Sequence, residues 1–155
     1  AVERDPLMLE LLKENVRVNG LESLVHVVEG DIREVERFMK KGEFDVILLN
    51  PPFYPQSYKG QNTFHFEKDT TLRDFIKATK YLLKDGGKIN LLFTALRCLE
   101  AVSLLVENNT HPLSLRFFYP KASKNAKLFS LYGVKNVKGS LTIERPLIIN
   151  REDGS

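Results

Sequence analysis

The sequence predicts a doubly wound α/β sheet that finishes in an antiparallel hairpin, and three observations carry that expectation. Strand-like and helix-like stretches alternate from the start as far as Glu107, which implies parallel strands joined by right-handed crossovers. Residues 44–49 form a nearly continuous apolar run, the pattern of a strand buried on both faces. Beyond Pro112, three strand-like stretches follow with no helix between them, so the end of the sheet should be antiparallel. A length of 155 residues suits one domain with its own core. The 43% apolar and 28% charged content is that of a globular chain.

Each element follows in order. Ala1-Val2-Glu3 reads as the end of a strand. Asp5-Pro6 opens a helix, an acid at the N-cap followed by proline in the first turn. Met8, Leu11, Leu12 and Val16 share a face of it, and Gly20 ends it. Residues 24–28 form a short apolar strand that stops at Glu29-Gly30-Asp31. Ile32, Val35, Phe38 and Met39 mark a brief amphipathic helix closed by Gly42. The strand over 44–49 halts at Asn50-Pro51-Pro52, and an irregular polar stretch covers 54–68. A helix over 70–84 turns Leu72, Phe75, Ile76, Thr79, Leu82 and Leu83 inward, and Asp85-Gly86-Gly87 stops it. A strand over 89–93 and a helix over 96–107 come next, ended by Asn108-Asn109 and Pro112. Residues 113–119, 127–132 and 140–149 are strand-like.

Composition excludes several classes. A lone cysteine, Cys98, leaves no disulfide framework and no multi-cysteine zinc site, which suits a reducing compartment. The longest apolar runs are strand-sized, far below the roughly 20 residues of a membrane span. Residues 1–6 hold no apolar leader, so the chain reads as cytoplasmic. His26, His65 and His111 have no metal-ligand spacing, and Ser103, Ser114 and Ser123 no nucleophile-elbow context. The net charge is only +3, but Arg116, Lys121, Lys124, Lys127, Lys135 and Lys138 fall between Asn108 and Ile143 without an acid. Such a segment suits an anionic partner, and equally a hairpin kept soluble by charge.

In open α/β sheets, ligands bind outside the carboxyl ends of the strands. Three groups stand there. Glu3 and Asp31 are acceptors suited to ribose hydroxyls or an exocyclic amine, although Asp31 could equally cap the helix that follows it. Asn50-Pro51-Pro52-Phe53 is the more specific signal. Its prolines make a stiff turn without backbone donors. The Asn50 side chain and the Pro51 carbonyl then offer two acceptors near one point, with Phe53 as a flat apolar face. That set can hold a planar group bearing an NH₂. The competing reading is a loop exit with Phe53 plugging the core.

This turn resembles the Asp/Asn-Pro-Pro-Phe/Tyr signature of class I S-adenosylmethionine-dependent methyltransferases acting on nitrogen of planar substrates, which have a Rossmann-like fold. The chain as a whole is similar to the bacterial tRNA(Val) adenine-N6 methyltransferase family. Phe64-His65-Phe66-Glu67, Tyr119-Pro120-Lys121, Lys127-Leu128, Val134-Lys135, Pro146-Leu147-Ile148 and Glu152-Asp153-Gly154 carry that similarity. The resemblance implies S-adenosyl-L-methionine as cofactor, with Glu3, Asp31, Ile32 and Asn50 as its contacts. It implies Asn50, Pro51, Pro52 and Phe53 as the residues that hold the target base. It implies RNA, in the first place tRNA, as partner of the basic segment from Arg116 to Lys138. Members of this fold begin with a strand and a glycine-rich cofactor loop that nothing here matches. The expectation is therefore a single methyltransferase domain over 1–155, incomplete at its N-terminus. The leading target is adenine N6 in a tRNA anticodon loop. Guanine N2 in ribosomal RNA, a protein glutamine amide, and a non-catalytic RNA-binding module are the alternatives.

Overall fold

A computed structural model of the chain describes residues 1–55, 66–67 and 70–150. They fall into two compact units, Ala1–Met39 and Lys40–Ser155. In the first, β1 (Val2–Glu3) leads into α1 (Pro6–Val18), then β2 (Val28–Glu29) and a 3₁₀ helix (Ile32–Arg37). β1 and β2 pair in parallel, Val2 with Val28 and Glu3 with Glu29. The strand expected over 24–28 is thus confined to its last residue and Glu29, because Leu24 and Val25 bond back to the Leu21 carbonyl in a turn.

α1 starts as its sequence dictates, with Asp5 Oδ1 accepting from the N–H groups of Leu7 and Met8 at 3.0 and 3.1 Å. Its buried residues are Leu9 and Val16, two helical turns apart. Leu11, expected inside, is 50% exposed, since two residues along a helix rotate it about 200° away from Leu9.

The first unit is also tied by charge. Asp31 caps the 3₁₀ helix through the Arg33 N–H at 2.9 Å. Its carboxylate also accepts from the Arg33 guanidinium, 2.6 Å at the shortest, and from Arg4 Nη1 at 3.0 Å. Arg33 in the first place, with Arg4 behind it, holds the Asp31 carboxyl well below the usual carboxylate range, against the opposing effect of burial.

In the second unit, β3 (Phe44–Leu49) is followed by β4 (Tyr54–Pro55), β5 (Phe66–Glu67), α2 (Leu72–Leu82) and β6 (Leu83–Thr94). A 3₁₀ turn (Ala95–Arg97), α3 (Cys98–Glu107), β7 (Thr110–Tyr119), β8 (Leu128–Lys135), β9 (Thr142–Ile143) and β10 (Leu147–Ile148) complete it. The main sheet runs β10-β7-β8-β6-β3, with β9 also on β7, while β4 and β5 pair separately in parallel. β3 and β6 are parallel, and β8 is antiparallel to both of its neighbours. The antiparallel strand is therefore interior rather than at the edge. The α3 crossover sets β7 down one place away from β6, and the hairpin returns β8 into the gap.

Both helices of this unit pack on one face of the sheet. Leu72 and Ile76 of α2 and Ala101, Leu104 and Leu105 of α3 close over Ile89, Leu91, Phe93, Phe129 and Leu131. α2 begins with a capping box, Thr71 and Asp74 each bonding the other's backbone N–H. It ends earlier than its sequence suggests. Leu83 already pairs with Phe44, and Asp85-Gly86-Gly87, expected to stop the helix, form a bulge inside β6 before Val46 meets Lys88. Gly86 takes φ +76° there, a conformation that glycine adopts without strain.

Two further expectations change. β3 is half-open: Val46 is 50% and Leu48 78% exposed, because among the described residues β3 pairs only with β6 and the two helices cover the opposite face. The run over 140–149 is two dipeptide strands parallel to β7, separated at Glu144-Arg145-Pro146, where proline has no N–H for a ladder. Among the described residues no helix is long and apolar enough to cross a membrane.

The charge cluster yields a test. A carboxyl whose folded pKa is depressed stabilises the fold above its unfolded pKa near 4, and that contribution fades as pH falls. Asp31→Asn should cost about 1 kcal/mol at neutral pH, a figure kept small by solvent around the arginines. Urea titrations should show the deficit shrinking steadily as pH falls below about 4.

Candidate active site

Asn50 directly follows Leu49, which pairs with Leu91 where β3 lies on β6 at the end of the second unit's strand order. Pro51 is buried, while Pro52 and Phe53 are half-buried. The ladder must stop here, since neither proline has an N–H to give. The result is a rigid turn at the carboxyl end of β3 whose acceptors are unspent. Among the described residues neither the exposed Asn50 side-chain amide nor the Pro51 carbonyl has a hydrogen-bond partner. Asn50 also borders an open groove of about 230 Å³ with Leu48, Asn90, Leu92 and Ser130.

Phe53 serves in part as the plug its loop reading foresees. Its ring meets Phe93 edge to face with centroids 5.9 Å apart, and Phe93 meets Phe129 likewise at 6.3 Å. Sequence reasoning missed the residue that holds its backbone. Arg97 Nη1 donates to the Phe53 carbonyl at 3.3 Å, while Nε and Nη2 hold the two oxygens of Glu100 at 2.7 Å. An arginine followed three residues later by glutamate, just after a strand, signals a local ion pair. The bond to Phe53, 44 residues away, has no sequence signal.

Glu3 and Asp31 lie together in the first unit, at the carboxyl ends of its two paired strands. Glu3 Oε1 accepts from the N–H groups of Arg4 and Asp5, both at 2.8 Å. Its other oxygen is unengaged among the described residues. Asp31 is otherwise: both oxygens are taken by the cap and the two arginines. Ile32 begins the 3₁₀ helix immediately after it.

The six bases do not form one surface. Lys121, Lys124 and Lys127 lie in the β7–β8 hairpin loop. That loop is at the same end of the sheet as Asn50, because Leu128 pairs with Thr94 at the carboxyl end of β6. The Ala95 N–H bonds the Lys127 carbonyl there at 2.9 Å. Lys135 is at the other end and buried, its ammonium on the Leu83 carbonyl at 2.7 Å, so it serves the fold. Lys138 leaves β8 at that same far end. Arg116 lies 3.8 Å from Glu144.

Other groups named from the sequence take no part. His26 is exposed and His111 half-buried. Cys98 is half-buried, and burial pushes its thiol pKa up, away from a reactive thiolate. No cluster of metal-ligating side chains exists among the described residues. His65 and residues 152–154 lie outside them.

Known proteins share this architecture. A tRNA1(Val) (adenine(37)-N6)-methyltransferase of Dyadobacter fermentans is 25% identical over 163 residues, covering 99% of this chain and 65% of that protein. A ribosomal RNA large subunit methyltransferase K/L of Allochromatium vinosum is 30% identical over 83 residues, 52% of this chain and 11% of that one. The chain thus spans less than two thirds of the length of these relatives. Among solved structures, a predicted O-methyltransferase from Agrobacterium tumefaciens superimposes with TM-score 0.77 at 18% identity, over 97% of this chain and 68% of its own. Trm5 of Methanocaldococcus jannaschii, solved with adenosine, gives TM-score 0.59 at 22% identity, over 89% of this chain and 36% of its own. At such identities the likeness is one of fold. Sequence similarity to a defined family extends from residue 1 to residue 110, through the first unit, across the Asn50–Phe53 turn and into the second unit as far as the start of β7, and the chain belongs to the methyltransferase small domain family.

Proposed function

We propose that the chain forms the catalytic part of an enzyme that methylates an exocyclic amine of RNA, with adenine N6 in a tRNA anticodon loop as target. The observation that carries this reading is a pair of acceptors without a partner among the described residues, Asn50 Oδ1 and the Pro51 carbonyl, on a turn that proline makes rigid beside Phe53. An amine has two hydrogens to donate and one lone pair to expose. Two fixed acceptors take the hydrogens and leave the lone pair aimed, which is a proximity and orientation effect. Phe53 stacks the ring, and a loop adenine needs little energy to leave its neighbours. The turn itself holds no titratable group. None is needed if the proton leaves to water after transfer.

S-adenosyl-L-methionine is the cofactor of this class, and it supplies a methyl group that its sulfonium already makes electrophilic. Glu3 fits it, with one carboxylate oxygen anchored by two N–H groups and the other open for ribose hydroxyls. Asp31 and Ile32 would take the adenine edge. For that, Asp31 has to share oxygens that Arg33 and Arg4 now hold. A ribosomal RNA target is the second reading, favoured by the 30% identity to the large-subunit enzyme over half of this chain.

Two experiments test the proposal. The intact protein, incubated with labelled S-adenosylmethionine and unmodified bulk tRNA, should yield N6-methyladenosine on digestion and mass spectrometry. Label in another nucleoside of the tRNA, or in none, would overturn it. The hairpin lysines supply the second. Replacing Lys124 and Lys127 by alanine should lower the salt dependence of tRNA binding by about 1.4 in log–log slope, about 0.7 for each phosphate left unneutralised. Lys138→Ala, at the far end of the sheet, should leave the slope unchanged.

A further inference from the structure

Among the described residues, Arg97 is the charged side chain that joins the Asn50–Phe53 turn to the end of β6. It closes the 3₁₀ turn after that strand and is only 12% exposed. Its guanidinium makes several kinds of contact at once. Nε and Nη2 grip Glu100 at 2.7 Å, Nη1 reaches the Phe53 carbonyl at 3.3 Å, and the cation lies 5.0 Å from the Phe93 ring centroid. Phe93 in turn abuts the Phe53 ring. Phe53 is thus held at its carbonyl by Arg97 and at its ring by Phe93, and Arg97 also contacts Phe93.

A guanidinium suits this place for a geometric reason. Its planar fork can give two N–H groups to a carboxylate and keep others for a carbonyl, whereas an ammonium cannot span both. Glu100, its carboxyl held below the usual range chiefly by that hydrogen bond, neutralises the cation and fixes its orientation. The charge is therefore spent locally, and what remains is a directional donor aimed at the backbone of the aromatic residue.

We propose that Arg97, oriented by Glu100, is a positioning residue for methyl transfer, fixing the Phe53 ring against which the target base stacks. The inference rests on the reading of Asn50–Phe53 as the amine-holding turn. Displacement of a reacting group by about 1 Å can cost about 10²-fold in rate, so the effect belongs in turnover rather than in cofactor affinity.

The test has two independent readouts. Arg97→Met keeps a long side chain over Phe93 and removes every donor. It should lower kcat about 10- to 100-fold with the dissociation constant for S-adenosylmethionine unchanged, and Arg97→Lys should not restore the loss. The second readout needs no activity. The chain has no tryptophan, so Phe53→Trp introduces a single indole whose acrylamide quenching reports its exposure. Adding Arg97→Met should raise the quenching constant about twofold, and so should Glu100→Gln, which keeps the fold's packing if Arg97→Met does not fold. Unchanged kcat, or unchanged quenching in the folded variants, would overturn the assignment. If the unsubstituted protein transfers no methyl group to any amine, the functional reading falls by itself, and quenching still decides whether Arg97 fixes residue 53.

Discussion

The geometry of the candidate site depends on two N–H groups that the chain does not have. A parallel strand continues only while it can exchange donors and acceptors with its neighbour, and β3 exchanges them with β6 up to Leu49 and Leu91. Pro51 and Pro52 cannot donate, so pairing ends abruptly and the Pro51 carbonyl is left outside the ladder. The rings restrict the backbone, and the acceptors stay in place without a partner among the described residues. Fixed, unused acceptors at a sheet's carboxyl edge are the raw material of a ligand site.

That rigidity would be worth little on a soft support. The turn rests on a column of aromatic rings, Phe53 on Phe93, Phe93 on Phe129, and Phe129 on Phe117. Phe93 and Phe129 are completely buried, and each such ring contributes about 2–3 kcal/mol by leaving water, with more from edge-to-face packing. The column crosses three strands, β6, β8 and β7, so the interior position of β8 is what makes it continuous. The same hairpin that delivers β8 carries Lys121, Lys124 and Lys127 to the carboxyl end of the sheet. Core packing and the location of a cationic loop are thus two consequences of one topological fact.

What the sequence made legible were features governed by near neighbours. Asp5-Pro6 foretold the start of α1, and the Thr71–Asp74 capping box is readable once the helix is recognised. The Asn50–Phe53 turn announces itself because two prolines after an apolar strand constrain the chain whatever surrounds it. Features decided at long range were not legible. Nothing local marks β8 as interior, Val46 and Leu48 as exposed, or Lys135 as buried under the Leu83 carbonyl. Asp31 shows the boundary between the two. Its capping role was readable from position, while its pairing with Arg4, 27 residues away, depends on β1 and β2 lying side by side.

The central claim is that Asn50 supplies an acceptor to the amine that receives the methyl group. The most direct measurement compares Asn50→Ala with the unsubstituted protein in single-turnover methyl transfer, with S-adenosylmethionine affinity measured alongside. The account predicts a fall of at least about 10²-fold in rate, the scale of losing one oriented polar group at a reacting centre, with the affinity little changed. A variant that transfers methyl groups at the normal rate would contradict the account, and the turn would then be a proline-stiffened loop with no part in the chemistry.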